Sequence, residues 1–214
     1  MCRRVCLIFA VLVAGATSDT DIEIVTRDQW GARPPRMVEP MANPVPYVVI
    51  HHSYIPAACN TSEECVQAMK WMQDFHQLNR SWNDVGYSFA VGGDGKAYVG
   101  RGWSAVGAHA PKFNNKSIGI CIIGDWRHEL PPVEQLQAVQ QLIDLGVREN
   151  KISPDYILLG HKQARLGTEC PGDRLYKEIQ TWKNWQPSPT PKVEPKEEID
   201  DGNILKKRTA DNAQ

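Results

Sequence analysis

The sequence predicts an α/β protein, a mixed central β-sheet flanked by helices, and three observations predict it. Apolar, β-branched runs recur along the chain, residues between them repeat apolar side chains at three and four residue steps, and one pair of runs is joined by a glycine-rich turn. Tyr47-Val48-Val49-Ile50-His51 follows Pro44 and Pro46 and reads as a strand buried on both faces, ending on the pair His51-His52. Met69, Trp71, Met72, Phe75 and Leu78 then fall at helical spacing, so a helix is predicted over residues 65–78, with Ser62 as its cap. Residues 87–91 and 97–99 flank Gly92-Gly93-Asp94-Gly95, whose glycines supply the positive φ that a hairpin turn requires.

Residues 118–123 form another apolar strand, closed by Gly124. Pro131-Pro132 open a helix whose Leu136, Val139, Leu142 and Ile143 share one face. Residues 156–159 read as a strand leading to His161, and Pro171-Gly172-Asp173 start a last helix with Leu175, Ile179 and Trp182 on its buried side. Ligands of such sheets sit at strand ends.

A chain of 214 residues is enough for one well-packed domain and short of two. Its first residues carry Arg3 and Arg4, an apolar run from Val5 to Val13, and Ala14-Gly15-Ala16, the layout of a secretory signal over residues 1–16. That run is too short to span a membrane, which takes about 20 residues, and no later stretch is longer. Residues 187–214 hold four prolines and eleven charges with no aromatic residue, so they read as a flexible tail. The folded unit is therefore expected over residues 20–186, as a secreted monomer without a membrane span. Removing the signal shifts the formal net charge from −1 to −3, which gives no general attraction to nucleic acid.

Cleavage also removes Cys2 and Cys6, so four cysteines remain to be assigned in an oxidising compartment. Cys59 and Cys65 lie six apart across the loop into the first helix and are paired as a disulfide. Cys121 sits inside an apolar strand as a small buried side chain. Cys170 lies nine residues after His161, and both His51 and His161 end strands. Two imidazoles and a thiolate fill three positions of a tetrahedral Zn²⁺ and leave the fourth for water, the layout of a catalytic site. Histidines 110 residues apart match no local zinc motif, so the spacing alone leaves core histidines and a stray thiol as the alternative. Sequons stand at Asn60, Asn79 and Asn115.

His51-His52-Ser53-Tyr54, Trp82-Asn83-Asp84-Val85-Gly86-Tyr87-Ser88-Phe89, Gly107-Ala108-His109, Asn115-Lys116-Ser117-Ile118-Gly119-Ile120 and Gly160-His161 with Thr168-Glu169-Cys170-Pro171 resemble the motifs of peptidoglycan recognition proteins. The match runs in order over residues 24–183 and includes Arg27-Asp28-Gln29-Trp30-Gly31-Ala32. Within that family the chain is most similar to secreted insect amidases, and phage amidase-type lysozymes share the layout. The resemblance implies the type 2 amidase fold and zinc on His51, His161 and Cys170, with His52 facing the other side of the strand. It implies Tyr87 as the catalytic tyrosine, with Thr168, where a phage relative has lysine, as a donor to the oxyanion. The segment between His161 and Cys170 is one residue longer than the family pattern.

The implied reaction is hydrolysis of the amide between the lactyl group of N-acetylmuramic acid and the L-alanine of the stem peptide. Implied partners are bacterial peptidoglycan and muropeptides, and the implied role is to dampen innate immune signalling. Peptide-contacting positions fall on His76, Arg80, Trp82, Arg101, His109 and Asn114. Ser81-Trp82 and Arg101 stand where members that prefer meso-diaminopimelate stems carry Gly-Trp and Arg, and a guanidinium can grip the extra carboxylate. Two further readings are a non-catalytic receptor of the same fold, which typically lacks the cysteine ligand, and a cysteine hydrolase using Cys170 with His161.

Overall fold

The computed structural model describes residues 22–189. The signal segment and all of the tail past residue 189 lie outside the described residues. Strands β1 (Ile24–Val25), β2 (Val45–His52), β3 (Phe89–Val91), β4 (Ala97–Val99), β5 (Ser117–Ile122) and β6 (Ile152–Gly160) form one sheet in the order β1-β4-β3-β5-β2-β6. Only the β3–β4 hairpin is antiparallel; β2 pairs in parallel with β5 on one side and β6 on the other. The helices are α1 (Arg27–Trp30), α2 (Ser62–Asp74), α3 (Val133–Arg148), α4 (His161–Ala164) and α5 (Asp173–Ile179). Among the described residues no helix is long and apolar enough to cross a membrane.

Alternation along the strands divides the sheet into two faces. On one, Val48 and Ile50 of β2, Ile118, Ile120 and Ile122 of β5 and Leu158 of β6 pack against Val139, Leu142 and Ile143 of α3 and Leu175 and Ile179 of α5. The other face is covered in two pieces. Met69 and Met72 of α2 cover Ala90, Tyr98 and Cys121, while Ala110 and Phe113 cover Tyr47 and Val49 of β2 and Ile157 and Leu159 of β6. His51 continues the row of Tyr47 and Val49 on this second face, beside the gap between the two coverings.

Three local expectations need correction. The cap of α2 is Thr61, whose hydroxyl accepts from Glu64 N–H while the Glu64 carboxylate accepts from Thr61 N–H, a capping box; the Ser62 hydroxyl donates to Asp94 instead. The predicted helix over 65–78 also does not run straight through. It passes at Phe75–Asn79 into a π-helical turn, whose wider winding rotates Leu78 out to solvent. Trp71 likewise points away from the core and stacks on Phe75, with ring centroids 5.4 Å apart. An element that no apolar period marked follows β1: α1 carries a Thr26/Gln29 capping box, ends on Gly31 at φ 72°, and buries Trp30, which donates to the Val99 carbonyl.

Cys59 and Cys65 are bonded, and Cys121 and Cys170 are free. A closed loop this small constrains the unfolded chain by about 2 kcal/mol. Replacing both cysteines with serine is expected to lower unfolding free energy by about that amount in urea titrations while leaving metal binding intact. Loss of metal binding in a folded double variant would show that the bridge shapes the site.

Candidate metal centre and cleft

Register brings the site together. Ile50 of β2 pairs with Gly160 of β6, so the next residues, His51 and His161, stand side by side at the strand ends, ring centroids 4.4 Å apart. His161 is also the first residue of α4, whose backbone turns away from the sheet. Cys170 is held alongside by its loop: its carbonyl accepts from Lys162 N–H, and its sulfur accepts from His52 N–H at 3.4 Å. One ligand atom from each of His51, His161 and Cys170 lies within 4.8 Å of the others. In the segment between His161 and Cys170, Leu166 is almost fully exposed and Gly167 stands at φ 81°, and the three ligand atoms remain together.

The donor set fits a metal ion. His51 Nδ1 lies 3.7 Å from Cys170 Sγ, close to the roughly 3.6 Å between nitrogen and sulfur ligands on a tetrahedral zinc. His161 Nε2 is buried and has no hydrogen-bond partner among the described residues. Burial holds the histidines neutral. It places His51 well below the ordinary imidazole value, further lowered by His161 and His109, and His161 at about 4, further lowered by Arg165. Burial pushes the Cys170 thiol up to about 12, against the His52 amide and Lys162, which favour the thiolate. Without a cation Cys170 is therefore a thiol, and His161 is a neutral ring, not an imidazolium able to hold a thiolate. This disfavours the cysteine hydrolase reading.

A cleft of about 530 Å³ opens over His51 and His161 between α2 and the Ala108–His109 loop. It is lined by the sequence-predicted His76, Arg80, Trp82, Tyr87 and His109, and also by Tyr54, Ile55, Trp71 and Phe75. Tyr87 stands 5.2 Å from His51, ring centroid to centroid. His76 is no solvated helix residue: it is buried, accepts from Gly86 N–H through Nδ1, and stacks on Trp82 at 4.7 Å. Arg80 lies over the Phe75 ring. Thr168 lines an adjoining groove with Cys170 and Tyr87, and its hydroxyl oxygen accepts from Cys170 N–H. His52 faces the opposite side of β2, where its Nδ1 accepts from Trp126 N–H.

Three predicted contacts do not line this cleft. Ser81 is exposed at φ 56°, a left-handed conformation that favours glycine. Asn114 faces inward, its Oδ1 accepting from His109 N–H and Ala110 N–H. Arg101 lines a smaller neighbouring pocket with Arg27 and Asp84; its Nε donates to the Val85 carbonyl and its Nη1 to the Val106 carbonyl, both at 2.7 Å. Neutral histidines and a protonated thiol set the proton balance. Metal uptake at pH 7 is expected to release about one proton, from Cys170, so affinity rises with pH. Calorimetry in buffers of different ionisation enthalpy measures this. Cys170→Ser should abolish the release, and no release from the unaltered protein would exclude the thiol as a ligand.

Residues 41–173 match the N-acetylmuramoyl-L-alanine amidase family. Peptidoglycan-recognition protein LB of Drosophila melanogaster is 56% identical over 162 residues, covering 76% of this chain and 69% of that protein. An N-acetylmuramoyl-L-alanine amidase of Sus scrofa is 41% identical over 170 residues, 78% of this chain but 28% of that longer protein. The structure of wild-type Drosophila PGRP-LB superposes with a TM-score of 0.76 at 55% identity, covering 77% of this chain and 96% of that one. A tyrosine-to-phenylalanine variant of it, in complex with tracheal cytotoxin, matches with a TM-score of 0.75 at 55% identity, covering 76% and 96%. With its fold, its His51–His161–Cys170 cluster and these relatives, the chain belongs to the N-acetylmuramoyl-L-alanine amidase family, among the peptidoglycan recognition proteins.

Proposed function

We propose that this protein is a zinc-dependent amidase that hydrolyses the lactyl-amide bond between N-acetylmuramic acid and L-alanine in peptidoglycan. The observation that carries the reading is the convergence of His51, His161 and Cys170, with both histidines lining an aromatic-walled cleft and Cys170 the groove that adjoins it. Zinc held there supplies a Lewis acid for activating water and polarising a carbonyl. Retention of Cys170 favours the enzyme over a receptor that only binds.

Burial, with Cys121 and Cys170 nearby, holds the Tyr87 hydroxyl well above its ordinary value. It therefore stays protonated and serves as a donor to oxygen charge that develops at the scissile carbonyl, not as a base. Thr168 accepts from Cys170 N–H and so keeps its own hydroxyl proton for a substrate oxygen. Trp82, His76 and Phe75 offer flat apolar walls, and Arg80 a cation at the rim.

We also infer a preference for diaminopimelate stems. Arg101 donates Nε and Nη1 to backbone carbonyls, while Nη2 is only 3.5 Å from the Asp84 carbonyl and is the nitrogen available to turn toward a carboxylate. Two relatives support the ligand class. Drosophila PGRP-LB is solved with tracheal cytotoxin, as is peptidoglycan recognition protein LE, at 42% identity and a TM-score of 0.74, whose ligand is described as monomeric diaminopimelic acid-type peptidoglycan. We further propose secretion, directed by residues 1–16, and removal of the muropeptides that trigger innate immune signalling.

Mass analysis of purified protein incubated with both stem types, with and without chelator, tests the activity. Free stem peptide is expected, abolished by chelator and restored by zinc; none in any condition would leave the receptor reading. Arg101→Val is expected to lower cleavage of diaminopimelate relative to lysine stems by roughly tenfold or more, as one lost charge-assisted hydrogen bond implies. An unchanged ratio would remove Arg101 from specificity.

A further inference from the structure

His109 reaches the cleft wall, yet both of its ring nitrogens are already engaged. Nδ1 lies 2.9 Å from His51 Nε2, and Nε2 lies 3.4 Å from Ser117 Oγ. The proton positions follow from the far end of this chain. The Phe113 carbonyl can only accept, so Ser117 Oγ, 2.7 Å away, spends its one hydrogen there and presents lone pairs to His109. Nε2 of His109 therefore carries the ring proton and Nδ1 is bare. That bare nitrogen accepts from His51 Nε2, which places the His51 proton on Nε2 and leaves Nδ1 as a lone pair 3.7 Å from Cys170 Sγ. The opposite arrangement would put a hydrogen on His51 Nδ1, between the two ligand atoms.

The ring is also seated with little slack. A Cβ added at Gly119 would lie 2.5 Å from its Cγ and Cδ2, and one at Gly107 would lie 2.4 Å from its Cδ2. Gly119 is the middle of a buried strand, where glycine otherwise weakens the sheet. Asn114 clamps the backbone on either side of the His109 Cα–carbonyl unit.

We propose that His109 is a positioning residue for the metal centre, locking His51 in the tautomer whose Nδ1 faces Cys170, through a hydrogen-bond chain that ends on the Phe113 carbonyl. This replaces direct hydrogen bonding to substrate as the role of its ring nitrogens, and it rests on His51 being a metal ligand.

Zinc affinity measured by chelator competition, with the visible spectrum of the cobalt-loaded protein, tests it. His109→Ala is expected to weaken zinc binding by about 10- to 100-fold and to alter the cobalt bands, as loss of a ligand's outer partner does. His109→Asn, whose Oδ1 takes the place of Nδ1 as acceptor, is expected to restore most of the affinity. Wild-type zinc affinity and spectrum in His109→Ala, with only KM raised, would overturn the proposal. Failure of the unaltered protein itself to bind zinc would instead overturn the metal reading beneath it. Should His109→Ala not fold, long-range ¹H–¹⁵N spectra of the unaltered zinc-loaded protein decide: a proton on His109 Nε2 supports the lock, and one on Nδ1 refutes it.

Discussion

The parallel pairing of β2 with β6 is the constraint on which the rest of the structure depends. Its register sets Ile50 against Gly160, and two histidines 110 residues apart in sequence thereby become neighbours. Parallel strands need long crossover connections, and the connections here serve two ends. One carries α2 and the cleft wall. Another, after β5, carries α3, which fills the opposite face. The sheet is thus closed on one side and left partly open on the other, and His51 stands at that opening.

The electrostatics follow from the same placement. A site that is half open to a cleft but buried at its floor strips water from imidazole and thiol alike. The histidines respond by staying neutral and Cys170 by staying protonated. Neutral imidazole is already the form that binds a metal ion, so only the cysteine has a proton to lose. Burial also keeps Tyr87 protonated beside the cluster, which suits it to donate a hydrogen bond. One physical cause, desolvation under the cleft, prepares both the ligands and the donor.

Much of this was legible in the sequence because it is locally encoded. The apolar runs of β2 and β5, the glycine-rich hairpin and the periodic face of α3 announce themselves over windows of five to sixteen residues. The Cys59–Cys65 bridge followed from spacing, whereas residue types at element ends only raised the cluster as one alternative, which the family resemblance then favoured. What escaped was set by competition or by distance. Thr61 and Ser62 are equally good caps by type, and Asp94, brought over by the hairpin, draws the Ser62 hydroxyl away. The π-helical turn after α2 breaks a spacing that reads as one continuous helix. Thr26-Arg27-Asp28-Gln29 followed by Gly31 is a legible capping pattern around α1, but four residues carry no apolar period. The burial of His109 was signalled only by glycines at positions 107 and 119, whose reason becomes visible once a ring lies across them.

The claim at the centre is that His51, His161 and Cys170 hold one zinc ion together. X-ray absorption at the zinc edge of the intact protein tests this most directly. A cluster of this composition should give one zinc per chain, with a single sulfur at about 2.3 Å and two imidazole nitrogens at about 2.0 Å. A zinc shell of oxygen and nitrogen alone, with no sulfur, would contradict it.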